Sequence, residues 1–360
     1  MKLQCHNETC RDQSGKPFNF DYSGNEICTY CPKCSSKIPL LDNNLDISNT
    51  IQVRNNTSKF KNNLRLWLLE NPKYNPYNYK IKYKSFSQQN TFSPFRQITS
   101  KLRTTPDFII FGGTRSGCMT LTKYILEHTN VFLVRNAHFF EYMYNNKLQW
   151  YKLHFPTNLY KSFYHLKNKK KLLVGEQTGT YYAHPDVPKR IREHLPNVKL
   201  IAMFRNPVKS TYSKYYHFFN EGQELNSFDD AIKMELERIK TANENPDFVT
   251  ANPNFDSDVN FHYLRHGHYA EKLKNWFSVF PKEQILILTN DEFNADIDKT
   301  LNQVFDFLEL PSYTVKNKIK HNVGKYPEMK DSTKKLLQNY FKPHNEEFYN
   351  LIGRKLDWDN

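Results

Sequence analysis

Two short apolar runs, each opening into a turn and then a helical stretch, constrain this chain more than any other feature. The first is Asp107-Phe-Ile-Ile-Phe-Gly112, followed by Gly113-Thr-Arg-Ser-Gly-Cys-Met-Thr120 and then Leu121, Tyr124, Ile125 and His128 at helical spacing. The second is Val198-Lys-Leu-Ile-Ala-Met-Phe204, followed by Arg205-Asn206-Pro207 and a helix predicted to run through Phe219. Unbroken apolar runs of this length suit strands buried on both faces, the situation of a parallel sheet covered by helices. Strands are expected over 107–112, 172–176, 198–204 and 284–289. The fold class is therefore α/β: a three-layer sandwich with a central parallel sheet and a P-loop-like strand–loop–helix nucleotide site.

Each turn is also an anion site in outline. A strand, a glycine-containing turn and a helix start gather main-chain N–H groups around one point, and the helix dipole adds to them. Arg115 stands in the first turn and Arg205 opens the second. The first loop lacks the Gly-Lys-Ser/Thr ending of a Walker A sequence, so it has no lysine and hydroxyl pair for a magnesium nucleotide. In the second unit Asn206 is a predicted N-cap and Pro207 the first helical residue. Asn206, Lys209, Ser210 and Ser213 then fall on one helical face. Two anion loops at the carboxyl ends of neighbouring strands imply a ligand with separated phosphates, bound in the crevice between them.

Cysteine usage divides the chain of 360 residues. Five of the six cysteines lie in the first 34 residues, as C-x4-C, a gap of seventeen, and C-x2-C-x2-C. Two close-spaced pairs separated by a hairpin-sized insert suit tetrahedral zinc, and so small a module needs a metal or crosslinks to fold. The expected ligands are Cys5, Cys10, Cys31 and Cys34, with Cys28 in place of Cys31 as the open alternative. Domains are expected at 1–40 (zinc-ribbon-like), 41–105 (a polar connector with a short amphipathic helix at 60–69) and 106–360 (the α/β domain). Lys plus Arg exceed Asp plus Glu by 51 − 37 = 14, which favours a polyanionic partner. The longest apolar runs fall well short of the roughly 20 residues of a membrane span. The polar start, Met1 to Arg11, does not read as a signal peptide, so a cytoplasmic protein is expected.

The pair of anion loops resembles the PAPS-dependent sulfotransferases. G-G-T-R-S-G-C-M-T-L looks like the family's 5′-phosphosulfate loop, and F-R-N-P-V-K-S-T-Y-S-K-Y-Y-H like its 3′-phosphate segment. The likeness continues in order through A-H-F-F-E (137–141), L-Q-W-Y (148–151), V-G-E-Q-T-G-T-Y-Y (174–182) and N-V-G-K-Y-P-E-M (322–329). The order and the H-F-F-E block are most similar to the carbohydrate, heparan sulfate-like, branch.

That resemblance implies a reaction and a set of residues. An acceptor hydroxyl attacks the sulfur of PAPS in line, and 3′-phosphoadenosine 5′-phosphate leaves. Nucleotide contacts are implied for Arg115, Ser116, Gly117, Cys118, Met119 and Thr120 in the first loop, Arg205 and Ser213 in the second, and Lys325 in a closing loop. Arg115 also takes the catalytic place beside the bridging phosphate, stabilising charge without donating a proton. Relatives carry a glutamate before the His-Phe-Phe and a lysine after the next glutamate; here these are Asn136 and Gln177. The base therefore falls to His138, with Glu141 orienting its imidazole, while Glu176 is a second acid/base candidate or a salt-bridged strand-end residue. The cysteine pair that brackets the closing loop in several secreted relatives is absent, in keeping with a reducing compartment. Met329 to Leu356 is expected to form a helical pair.

The reading is a PAPS-dependent sulfotransferase acting on a hydroxyl of a glycan, with PAPS as co-substrate and a structural zinc. Nucleic acid is not an expected partner. The alternative is a zinc-ribbon nucleic-acid or protein binder whose sulfotransferase-like domain has lost catalysis.

Overall fold

The computed structural model describes residues 2–4, 19–21, 28–30, 37–39, 94–244, 262–316, 318 and 326–359. The chain forms two compact units, Met1–Lys84 and Ser85–Asn360. In the first, β1 (Lys2–Gln4) pairs antiparallel with β2 (Asn19–Asp21), and β3 (Cys28–Tyr30) with β4 (Lys37–Pro39). Cys28 opens β3 opposite Pro39. Cys5, Cys10, Cys31, Cys34, the stretch 60–69 and Lys325 lie outside the described residues.

The second unit is built on five parallel strands: β5 (Phe108–Gly112), β6 (Val131–Arg135), β7 (Leu173–Gln177), β8 (Lys199–Phe204) and β9 (Ile285–Thr289), in the order β6-β7-β5-β8-β9. Four of these begin and end within one residue of the strands expected from the sequence. β6 is not among the expected ones; as an edge strand it is only half-buried, so its apolar signal is short and ends in Arg135. From the central β5 the chain runs outward to β6, back to β7, and then crosses to β8 on the other side. The loops after β5 and β8 thus flank the switch point, where ligands of open α/β sheets bind.

Side chains of alternate strand residues point to opposite faces, and both faces are dry. Phe108, Ile110, Ile201, Met203 and Leu288 pack against Leu121 and Ile125 of the helix Cys118–Leu126 and against Leu301, Val304 and Phe305 of the helix Ile297–Phe307. On the other face Phe111 stacks on Trp276 of the helix Tyr269–Phe277 at 4.0 Å between ring centroids. Phe204 meets Phe348 of the helix Asp331–Ile352 at 5.0 Å. Each such side chain contributes about 1.5–3 kcal/mol through burial. The sheet therefore holds its carboxyl rim rigidly.

The carboxyl-terminal region corrects one expectation. Instead of a helical pair, a single helix spans Asp331–Ile352 with Pro343 inside it. Leu337, Phe341 and Phe348, all fully buried, lie on both sides of the proline and hold the helix against the domain there. Ahead of β5, Arg103 is buried and donates from Nη1 to the Phe155 carbonyl at 2.5 Å, so the chain leading into the sheet packs within this unit.

Candidate active site

The first loop is shaped by close approach of β5 to β8. A Cβ on Gly112 would lie 2.0 Å from the Met203 carbonyl oxygen, so only glycine fits there. Gly113 continues the ladder by donating to the same oxygen at 3.0 Å. The chain then turns through Arg115, at φ 57, and Gly117, at φ 98, which is the N-cap of the helix Cys118–Leu126. For arginine that left-handed backbone costs about 1–3 kcal/mol and is held by the surrounding packing. The Ser116 hydroxyl is turned inward, 3.3 Å from the Cys118 sulfur, and the Cys118 thiol reaches the Phe111 carbonyl at 3.5 Å. Burial pushes the Cys118 thiol up to about 11, so it stays a thiol. The Ser116 N–H donates to the Gly113 carbonyl at 3.2 Å, while the Cys118 N–H lies in the first helical turn, where N–H groups lack intrahelical acceptors. Met119 is half-buried, and Thr120 is buried with its N–H on the Gly117 carbonyl at 2.9 Å.

The second loop is docked onto the first. Asn206 caps its helix by accepting from Val208 N at 2.9 Å and Lys209 N at 3.3 Å, while its amide donates to the Trp358 carbonyl. Lys209 pairs with Asp291 at 3.0 Å, and Ser210 donates to the Thr114 carbonyl at 2.5 Å. Three of the four residues on the expected helical face thus bind parts of the protein other than the two arginines. The fourth, Ser213, accepts from Arg115 Nε at 3.2 Å, and Arg205 Nη1 donates to the Arg115 carbonyl at 3.2 Å. Tyr269 locks this junction, its hydroxyl on the Arg205 carbonyl at 2.9 Å and its ring against Gly113.

Arg115 and Arg205 consequently share one place. Burial first, and the Arg205 charge second, lower the proton affinity of the Arg115 guanidinium; Tyr326 and Glu221 oppose them. Arg205 Nε is buried and has no hydrogen-bond acceptor among the described residues. Crowded like charges and an orphaned donor are costly by themselves and become favourable when an oxyanion enters. The residues present therefore fit a phosphate-bearing ligand. Tyr326 stacks on Tyr216 at 5.0 Å and Tyr212 donates to the Pro327 carbonyl at 3.0 Å, bringing the end of the expected closing loop to the same helix.

A second cluster stands after β6 and β7 on the same rim. Asn136 N–H donates to the Gln177 carbonyl at 2.7 Å, placing the two departures from the family pattern side by side. Asn136 and His138 both have left-handed φ, 54 and 51. His138 Nδ1 is hydrogen-bonded to the Glu141 carboxylate, which also accepts from Thr180 Oγ1 at 2.7 Å. The Glu141 side chain is 1% exposed and that of His138 15%. A buried carboxylate holding Nδ1 sets the tautomer and turns Nε2 toward a proton-accepting role. Glu176 is fully buried, and its partners are the hydroxyls of Tyr151 and Thr178 rather than a cation. Burial raises its proton affinity, and those hydroxyls pull it back. Gln177 Oε1 is buried without a hydrogen-bond partner among the described residues. Sequence reasoning passed over Thr180, Tyr269 and Tyr326; Thr180 and Tyr326 lie within quoted blocks and Tyr269 far from any, and no spacing rule ties them to an arginine or a histidine.

The sulfotransferase domain family matches residues 105–355, and the chain belongs to that family. It is a PAPS-dependent sulfotransferase. The membrane-associated sulfotransferase kil1 of Dictyostelium discoideum is 27% identical over 351 residues, covering 79% of this chain and 72% of that one. Heparan sulfate glucosamine 3-O-sulfotransferase 6 of Mus musculus is 24% identical over 280 residues, covering 71% and 74%. The crystal structure of a sulfotransferase from Alicyclobacillus acidocaldarius shares the fold, with a TM-score of 0.53 at 23% identity over 71% of this chain and all of that one. Among the described residues no helix is long and apolar enough to cross a membrane, and no cluster of metal-ligating side chains occurs.

Proposed function

We propose that the chain transfers the sulfuryl group of PAPS to a carbohydrate hydroxyl, using the paired loops at 113–120 and 205–213 as a P-loop-like nucleotide site in a three-layer sandwich. The observation that carries this reading is the meeting of Arg115, Ser213 and Arg205 at one point. Arg115 and the start of the helix Cys118–Leu126 take the 5′-phosphate, where leaving-group charge develops; Arg205 and Ser213 take the 3′-phosphate, and Lys325 closes over it. His138 Nε2 accepts the acceptor's proton as the new S–O bond forms and the bond from sulfur to the bridging phosphate oxygen breaks. Glu141 and Thr180 hold the imidazole in place, and buried Glu176 is a positioning residue behind it.

The carbohydrate assignment rests on the H-F-F-E block and on the similarity to a heparan sulfate glucosamine 3-O-sulfotransferase. Where relatives carry Glu and Lys, adjacent Asn136 and Gln177 offer neutral amides, which favours an acceptor contacted by hydrogen bonds rather than by charge. In this reading residues 1–40 are a zinc-ribbon module, 41–105 a connector whose last part packs on the catalytic unit, and 106–360 the enzyme, located in the cytoplasm. Cys5, Cys10, Cys31 and Cys34 are the proposed zinc ligands on the strength of their paired spacing alone, with Cys28, which begins β3, as the alternative to Cys31.

Labelled PAPS supplied with a panel of oligosaccharides, lipids and small phenols tests the acceptor: transfer to an oligosaccharide is expected, and transfer to phenols alone overturns it. Thermal stabilisation by 3′-phosphoadenosine 5′-phosphate is expected, and stabilisation only by a nucleic-acid oligomer would make the chain a binder. Zinc at one equivalent per chain is expected in purified protein; a metal-free, oxidised cysteine block defeats the ribbon.

A further inference from the structure

The helix Asn158–Asn168 packs on its domain inside out. Its two half-buried side chains are polar: Lys161 pairs with Asp107 at 2.8 Å, and the Tyr164 hydroxyl donates to the Thr129 carbonyl at 2.8 Å. At the helical repeat of about 100° per residue, Leu159, Phe163 and Leu166 stand on the opposite side. They are 79%, 59% and 67% exposed. No residue of the helix is buried. An ordinary surface helix does the reverse, turning its apolar stripe inward.

This face lies at a definite end of the sheet. Asp107 precedes β5, Thr129 precedes β6, and the helix itself leads into β7, so the stripe sits at the amino edge, opposite the rim that carries Arg115 and His138. An isolated bridge between Arg103 and Thr157 ties the start of the helix to the segment before β5. There Phe95, Ile98 and Leu102 are 68%, 82% and 63% exposed. Charge in the segments that form the patch is mainly positive, with Asp107 on Lys161 and Glu309 near Lys171 as acidic neighbours. No Asp or Glu occurs between Glu70 and Asp107 or between Glu141 and Glu176. Lys101, Lys167, Lys169, Lys170 and Lys171 are all exposed.

We infer that this face docks the protein on an anionic phospholipid surface, with Leu159, Phe163 and Leu166 entering the boundary between headgroups and acyl chains while the lysines meet the lipid charge. A stripe of leucine and phenylalanine rimmed by lysine has the composition of interfacial helices, whose binding sums apolar burial and attraction to anionic lipid. A nucleic acid or an acidic glycan would engage the lysines and leave the apolar stripe in water. Docking by the amino edge turns the carboxyl rim away from the bilayer, keeping the nucleotide site open to solution.

Flotation of the full chain with phosphatidylcholine vesicles, with and without phosphatidylserine, tests the inference. Retention is expected on the anionic vesicles only, and it weakens as salt is raised. Joint substitution Leu159→Gln, Phe163→Gln and Leu166→Gln is expected to weaken retention by at least about tenfold. Turnover on a water-soluble acceptor and the melting temperature stay unchanged, because all three side chains are already in water. Charge removal by Lys167→Gln, Lys169→Gln, Lys170→Gln and Lys171→Gln is expected to weaken retention about fivefold per lysine. Wild-type protein that ignores anionic vesicles, or a triple variant retained as well as wild type, overturns the inference. So does lipid-free self-association lost in the triple variant without vesicle retention, which would assign the face to a second copy of the chain.

Discussion

Arg205 donates through Nη1 to the main-chain oxygen of Arg115 at 3.2 Å, so the guanidinium of one anion loop is hydrogen-bonded to the backbone of the other. The two residues are 90 apart in sequence. Ser213 completes the tie from the far side by accepting from Arg115 Nε. Neither loop is free to shift without the other, and two positive charges are held together before any ligand arrives. In the proposed site such preorganisation would place stabilising charge where the leaving phosphate develops its own, with no reorganisation at the moment of reaction.

Arg205→Ala is expected to weaken 3′-phosphoadenosine 5′-phosphate binding by about 10- to 100-fold, the range for a charge-assisted hydrogen bond to phosphate. Calorimetric titration reads this directly. The ligand-free protein is expected to melt near the wild-type temperature, since removing Arg205 also relieves its repulsion with Arg115. Unaltered affinity in the variant would separate Arg205 from the nucleotide.

For His138→Ala, turnover is expected to fall by about 10²–10⁴-fold, the span of general-base contributions, while nucleotide affinity stays within about twofold. Glu141→Gln keeps an oxygen facing Nδ1 but loses the charge that stabilises an imidazolium, so a smaller loss of about tenfold in kcat is expected. Steady-state kinetics decides between the candidates: undiminished turnover in His138→Ala moves the base elsewhere on the rim.

Acid stability is expected to depend on the stacked pair His268 and His344, whose rings are 3.8 Å apart. Burial first, then His344, Lys272 and Arg265, depress His268 from 6.5 to about 3; the Tyr340 hydroxyl at 2.9 Å and Glu271 at 3.9 Å also face it. Between those values the unfolded chain binds the proton that the folded one refuses. The stabilisation is therefore complete above about pH 6.5 and is lost as pH falls toward 3. Thermal melts from pH 7 to pH 4 are expected to decline less steeply in His268→Gln; parallel curves would show that this ring does not contribute.

Cys118 is expected to resist alkylation in the folded protein at about pH 8, where an exposed thiol near its ordinary pKa reacts readily. Its sulfur is buried, and its thiol is raised to about 11. Peptide mass spectrometry after treatment with iodoacetamide, with and without denaturant, measures the difference. Equal labelling in both states would mean that the loop opens freely.

Local pattern made a large part of this molecule legible. Strand runs such as 198–204 are apolar because both faces of the sheet are covered, and the turn residues Asn206 and Pro207 announce a helix start through short-range geometry alone. Those signals depend on neighbours within a few positions, so a single sequence carries them in full. β6 escaped because an edge strand needs fewer apolar residues, and the helix Asp331–Ile352 was read as two because Pro343 breaks a pattern that tertiary packing of Phe341 and Phe348 restores.

What the chain alone determined is the α/β class, the two strand–turn–helix units and the set of side chains proposed for anion and proton chemistry. Only the tertiary structure decided which of those side chains are spent inside the protein. Ser116 and Cys118 turn inward, Lys209 pairs with Asp291, Glu176 is enclosed by hydroxyls, and Arg205 keeps an N–H unmatched among the described residues. Burial and hydrogen-bond satisfaction are set by residues brought together from distant parts of the sequence, and no periodicity along the chain encodes that meeting.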